Sequence, residues 1–210
     1  MKKQETVFEA LKDIYHHLKE WSDPSSALKK GNLLPLAIVI FCFSILIVYI
    51  PQEPFIFSGT ILENLQLGNR PDINYSDISE ACRIAQIKND IESMPLQYNT
   101  KLDENSAGLS GGQKQRLTIA RALLSPAQVL IFDESTSNLD ALTEANLVNE
   151  LLKLRKTVIF IAHRLSIARK TNNIVVLKKG RIAEQGSHYK LLTKKGEYYR
   201  LLNATGELNE

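Results

Sequence analysis

Residues 109–140, LSGGQKQRLTIARALLSPAQVLIFDESTSNLD, carry the pattern that decides the fold. Leu117, Ile119, Ala120, Leu123 and Leu124 recur at helical spacing directly after Ser110, Gly111 and Gly112, which places that polar turn at a helix N-terminus. Val129, Leu130, Ile131 and Phe132 then form a short unbroken apolar run, bounded by Pro126 before it and by Asp133 and Glu134 after it. Such a run predicts a buried strand of a parallel sheet, so helix and strand together predict an α/β fold.

At a helix start the backbone N–H groups have no intrahelical acceptor, and the positive end of the helix dipole lies behind them. A Ser hydroxyl and two residues without Cβ let an anion approach those donors closely, and phosphate is the guest that fits. Taken alone, the Ser-Gly-Gly turn is also an ordinary Ser-capped helix start. The adjacent acids at the strand end change the reading. One carboxylate there holds a hydrated Mg²⁺ and the next polarises a water for attack on a phosphoryl group.

In this order and spacing the chain resembles the ATP-binding cassette (ABC) transporter ATPases, and the likeness continues on both sides. Tyr49 to Gln52, within YIPQEPFIFSGTILENL, is similar to the segment with the family's Q-loop glutamine. Ser137 to Asp140 matches the D-loop, and His163, after the apolar run Val158 to Ala162, matches the switch histidine. Several motifs in the correct order are far more specific than any lone glycine motif. The wording YIPQEPFIFSGTI and MPLQYNTKLDENSAGLSGGQKQRLTIARALL looks most like exporters of bacteriocins and peptide pheromones in Gram-positive bacteria.

The resemblance implies a partial P-loop-NTPase-type domain with a parallel sheet core and a helical subdomain. It implies ATP and Mg²⁺ as ligands, with Glu134 and His163 as catalytic residues. Gln52, Ser110, Gly111, Gly112, Gln113 and Asp140 would contact nucleotide, and Asp133 with Gln52 would hold the metal. The implied partners are a second, intact cassette and exporter transmembrane domains, at the cytoplasmic face of the cell membrane. In such exporters the segment before the signature faces the transmembrane domains, here about residues 103–108, and glycine commonly stands where this chain has Ser106.

Composition agrees with one ordinary domain. The 210 residues are 44% hydrophobic and 23% charged, with a formal charge of +3. No compact Lys/Arg patch with interleaved aromatics is present, which argues against nucleic acid as a partner. Cys42 and Cys82 lack metal-ligand spacing and read as small apolar residues in a reducing compartment.

Along the chain, residues 1–32 form an amphipathic N-terminal segment, with Val7, Leu11, Ile14, Tyr15 and Leu18 on one helical face before a break at Asp23-Pro24. Residues 33–50 carry no charge and would span about 27 Å as a helix, close to the roughly 30 Å of a bilayer core. That segment reads either as a membrane-crossing helix or, over Ser44 to Ile50, as a buried strand entering the cassette. A single crossing from an inside N-terminus would place the ATPase motifs outside, where no ATP is available. Residues 51–207 are the cassette region. There Asp77 and Glu80 predict a capped helix carrying Ala81, Ile84, Ala85, Ile87 and Ile91, and Thr143 to Arg155 predicts another. Thr157 to Ala162 reads as a buried strand, Ile174 to Glu184 as a hairpin, and Tyr189 to Leu202 as a closing amphipathic helix.

A cassette cradles phosphates with a P-loop, G-x-x-x-x-G-K-[ST]. No glycine in these 210 residues is followed by lysine, and no two glycines have the required spacing. The chain therefore reads as the C-terminal part of a cassette joined to an unrelated N-terminal segment, as a truncated or rearranged gene would give. Autonomous ATPase activity is doubtful on that reading. The rival reading is a non-enzymatic regulatory or assembly partner of an intact exporter, and a third is an inactive remnant.

Overall fold

The structure is a computed structural model that describes residues 46–69, 73–103, 108–162 and 164–205. The expected helix over residues 7–18, residues 33–45 of the apolar segment, Cys42, Ser106 and His163 lie outside the described residues. By contacts the chain divides at Ile45, and the unit from Leu46 onward is the one considered below.

Its centre is a parallel three-stranded sheet built from β1 (Ile47–Ile50), β4 (Val129–Asp133) and β5 (Thr157–Ile161), in the order β1-β4-β5. The register aligns Val48 with Leu130 and Val158, and Ile50 with Phe132 and Phe160. These two rows pack into the main apolar core with Leu117 and Ile119 of α4 (Gly111–Leu124) and Leu147 and Leu151 of α5 (Ala141–Leu152). Ile47, Ile131 and Ile159 alternate onto the other face and stand outside both apolar clusters of the described residues. So β5 departs from the expected buried strand: none of its residues is fully buried, and Ile161 is 50% exposed.

The end of the apolar segment, Ile47–Ile50, is strand here and pairs along its whole length with β4. Among the described residues no helix is long and apolar enough to cross a membrane.

A helical region inserted between β1 and β4 holds α1 (Ile61–Gln66), α2 (Tyr75–Ile84) and α3 (Lys88–Glu92), with the short antiparallel pair β2 (Gly59–Thr60) and β3 (Lys101–Leu102). The sequence placed the cap of α2 at Asp77. Instead Asn74 is the N-cap, accepting from the Asp77 N–H, and Asp77 lies in the first turn. Gln86 takes a left-handed backbone (φ 59°), which separates α2 from α3 and turns one expected helix into two. Cys82 is buried in this core, and burial pushes its thiol up to about 12, so it stays neutral and packs as an apolar residue.

After α6 (Leu165–Lys170) comes the hairpin β6 (Ile174–Lys178) and β7 (Arg181–Gly186). Its two-residue turn has positive φ at Lys179 and Gly180, the geometry that matches strand twist. The expected closing helix is two helices, α7 (His188–Lys194) and α8 (Glu197–Thr205). Left-handed Lys195 ends the first, and the Glu184 carboxylate fills the space beside Gly196 where any side chain would stand.

Candidate functional site

Because β1, β4 and β5 run parallel, the segments that follow them emerge at one edge of the sheet. β1 leads into Pro51 and Gln52, β4 ends in Asp133 and Glu134, and β5 leads toward residue 163. The Gln52 side-chain amide donates to the Glu134 carboxylate at 3.2 Å. The Tyr49 hydroxyl donates to Asp133, and that bond to a carboxylate raises the hydroxyl's pKa above its ordinary value. Tyr49 was not singled out from the sequence. Its partner was legible in principle, since Tyr49 aligns with Ile131 and so shares a sheet face with Asp133.

Glu134 adopts a left-handed backbone with φ 48°, rare and costly for a residue with a long side chain. Its N–H still donates to the Ile161 carbonyl at 2.8 Å, so the last ladder bond to β5 anchors the turn. Directly after it, Ser135 and Thr136 are buried, and the Ser135 hydroxyl has no hydrogen-bond partner among the described residues.

The second constellation is the start of α4. Ser110 is the N-cap. Its hydroxyl accepts from the Gln113 N–H at 3.2 Å, and the Gln113 side-chain oxygen accepts from the Ser110 N–H at 2.9 Å. This reciprocal box leaves the N–H groups of Gly111 and Gly112 without intrahelical acceptors. Behind it, Asp90 of α3 accepts from the Gln113 amide at 2.8 Å and from Arg116 at 3.0 Å.

Two side chains of α4 tie this helix to the segment that follows β1. Gln115, fully buried, donates to the Pro51 carbonyl at 3.3 Å, next to Gln52. Arg121 donates to the Asn64 and Phe55 carbonyls and to the Asn64 side chain, and lies 5.1 Å from the Phe57 ring centre. Asn64 in turn brackets the Phe57 backbone with a pair of bonds. Burial lowers the pKa of Arg121, which remains a cation.

The D-loop residues sit against both constellations. A Cβ on Gly112 would lie 3.1 Å from the Asn138 carbonyl, so glycine lets the loop approach the turn. Asp140 caps α5 through the Thr143 N–H, and the bonds to Thr143 hold its carboxyl below the usual range. Arg164 donates to the Ser137 and Leu139 carbonyls and to buried Glu144, fastening the D-loop to the segment that follows β5. Asp90, Gln115, Arg121, Asn64, Arg164 and Glu144 escaped the sequence reading. Each acts across at least twenty residues or through backbone carbonyls, which leave no local pattern.

No group of three or more His, Cys, Asp or Glu that could hold a metal by itself occurs among the described residues. Two carboxylates and an amide are nonetheless a suitable donor set for Mg²⁺ that also binds phosphate oxygens, since Mg²⁺ uses few protein ligands. The residues present therefore fit a metal–phosphate ligand.

A family model described as ABC transporter matches residues 42–137. Over 149 residues the chain is 60% identical to the pediocin PA-1 transport/processing ATP-binding protein PedD of Pediococcus acidilactici, a match covering 70% of this chain and 21% of that protein. It is 53% identical over 156 residues to the transport/processing ATP-binding protein ComA of Streptococcus pneumoniae, covering 74% of this chain and 22% of that one. The chain thus spans about a fifth of the length of these relatives. The solved structure of a bacterial Atm1-family ABC exporter with ATP bound superposes with a TM-score of 0.71 at 36% identity, covering 76% of this chain and 28% of that chain.

Proposed function

We propose, from the premise that residues 42–137 belong to the ABC transporter family, that this chain supplies the signature half of a Mg-ATP site in a peptide or bacteriocin exporter. Its partners in this reading are an intact cassette and the exporter's transmembrane domains, at the cytoplasmic face of the membrane. The observation that carries the reading is the start of α4, where Ser110 and Gln113 satisfy each other and leave the N–H groups of Gly111 and Gly112 without intrahelical acceptors. Such a turn is an anion site that needs no further residue of its own chain.

At the other constellation the proposed roles are those the family resemblance implies, and the chemistry of the residues is compatible with them. Asp133 and Gln52 would hold Mg²⁺, Glu134 would accept a proton from the attacking water, and His163 and Asp140 would contribute from the flanking loops. Mg-ATP, when bound, would supply the reactive phosphoryl group and the metal charge that its oxygens need. Gln52, neutral and already bonded to Glu134, can release that carboxylate with no charge penalty. The 210 residues contain no P-loop motif, so in this reading the phosphate cradle comes from outside them and the chain alone does not turn over.

The test is Mg-ATP hydrolysis by the purified chain, with Glu134→Gln beside it. The reading predicts the same background rate for both. Hydrolysis that disappears in Glu134→Gln would overturn it, because a complete site would then lie within this chain.

A further inference from the structure

The geometry points to Asp90 as the positioning residue that selects the working orientation of the Gln113 amide, and through it the shape of the signature turn. The inference rests on the reading that this turn completes a nucleotide site.

An amide can present its oxygen or its nitrogen to a neighbour, and the turn works with one choice. The Gln113 oxygen must face the Ser110 N–H, because its nitrogen there would set donor against donor. On the far side of the same amide stands Asp90, a carboxylate that only accepts. Its 2.8 Å bond to Gln113 Nε2 is compatible with that orientation alone. A flipped amide would meet a carboxylate with oxygen and an N–H with nitrogen, losing both bonds at once.

The carboxylate lies close to a turn meant for an anion, which would weaken phosphate binding if its charge were unbalanced. Arg116 removes that difficulty. It meets the second Asp90 oxygen at 3.0 Å, and its side chain is 12% exposed against 30% for Asp90. Asp90 therefore takes one hydrogen bond from an amide and one from a guanidinium, and neither partner can be replaced by an acceptor. With Gln113 fixed, the Ser110 oxygen accepts from the Gln113 N–H and its hydroxyl proton is free to point outward with the glycine N–H groups.

This scheme makes a donor-swap prediction. In Asp90→Asn the new amide keeps its oxygen on the charged, donor-only Arg116 and turns its nitrogen toward Gln113, which then gains by flipping and taking its oxygen off the Ser110 N–H. In Gln113→Glu two carboxylates face each other. Combined, the two substitutions restore every bond. The carboxylate introduced at position 113 would accept from the Ser110 N–H and from the amide nitrogen introduced at position 90, while the oxygen of that same amide accepts from Arg116.

The experiment is amide hydrogen exchange on the full chain, following Ser110 with the amides of α5 as an internal measure of folding. Each single variant should lose about tenfold protection at Ser110, and the double variant should regain it. In an assembly with an intact exporter cassette, Asp90→Asn should lower kcat with KM for Mg-ATP little changed. Unchanged Ser110 protection in Asp90→Asn, or a double variant as unprotected as the singles, overturns the inference. A turn that behaves as predicted in a chain that stimulates no partner would overturn the proposed function and leave the positioning role standing.

Discussion

At the start of α4, Ser110 and Gln113 bond each other twice, Asp90 holds Gln113, and Arg116 balances Asp90. At the end of β4, by contrast, Asp133 meets the Tyr49 hydroxyl and Glu134 meets the Gln52 amide, both neutral groups. The first constellation spends its side chains on one another and leaves two backbone donors without intrahelical acceptors. The second presents carboxylates, and the hydroxyl and amide seen to bond them are neutral groups that a cation or a water can displace. One is a finished surface for a ligand held elsewhere, and the other is an open set of ligands that needs a phosphate cradle to become a site.

The packing follows the same division. The helical region buries Ile61, Leu65, Ile87 and Ile91 completely, and α4 beside it buries Leu117 and Ile119. The sheet that bears the acids buries one face well and leaves Tyr49 and Ile161 about half exposed on the other. Since parallel strands are ordinarily covered on both faces, the acidic edge belongs to the less finished part of the described fold.

The comparison is broken most severely at Arg121. Replacing it with Ala leaves the Asn64 and Phe55 carbonyls without their partner, and should cost about 3 kcal/mol, read as a lower urea midpoint with unchanged slope. A loss under about 0.5 kcal/mol, the level of an ordinary surface change, would show that the helical region does not depend on this anchor. Ser110→Ala removes one cap bond and should cost about 1 kcal/mol, with Gln113 amide exchange accelerated. Glu134→Gln, at the other constellation, should change stability by about 0.5 kcal/mol or less in either direction, because the strain lies in the backbone and remains. A large stabilisation there would mean that repulsion between Asp133 and Glu134 dominates the edge.

The smallest effect is one of pH. The Asp140 carboxyl is held below its unfolded value by its bonds to Thr143, so its contribution is present above the unfolded pKa and fades as pH falls through the folded one. Asp140→Asn should therefore lower stability near neutrality and meet the unsubstituted chain at acid pH, so that the profile between the two is flatter.

These contrasts also show which features a sequence reveals. The signature turn was legible because a cap and a helical period are local, within about four residues of one another. The strand ending in Asp133 and Glu134 was legible because apolar runs and breakers are local too. Long-range anchors were not. Asp90 reaches Gln113 across 23 positions and Arg121 reaches Asn64 across 57, and nothing in either segment alone marks the meeting. The split of the closing helix escaped for another reason. Lys195 is a good helix former, and its left-handed turn follows from the packing of Gly196 against Glu184, a tertiary demand that overrides propensity.

The most direct measurement pairs this chain with an intact peptide-exporter cassette whose own signature serine has been replaced by arginine. That partner keeps its phosphate cradle and acids but lacks a working turn to offer or receive. Added wild-type chain should restore Mg-ATP hydrolysis, and the same chain carrying Ser110→Arg should not. Restoration by both, or by neither while the two proteins bind, would contradict the claim that this chain brings a complete signature turn to another molecule's site.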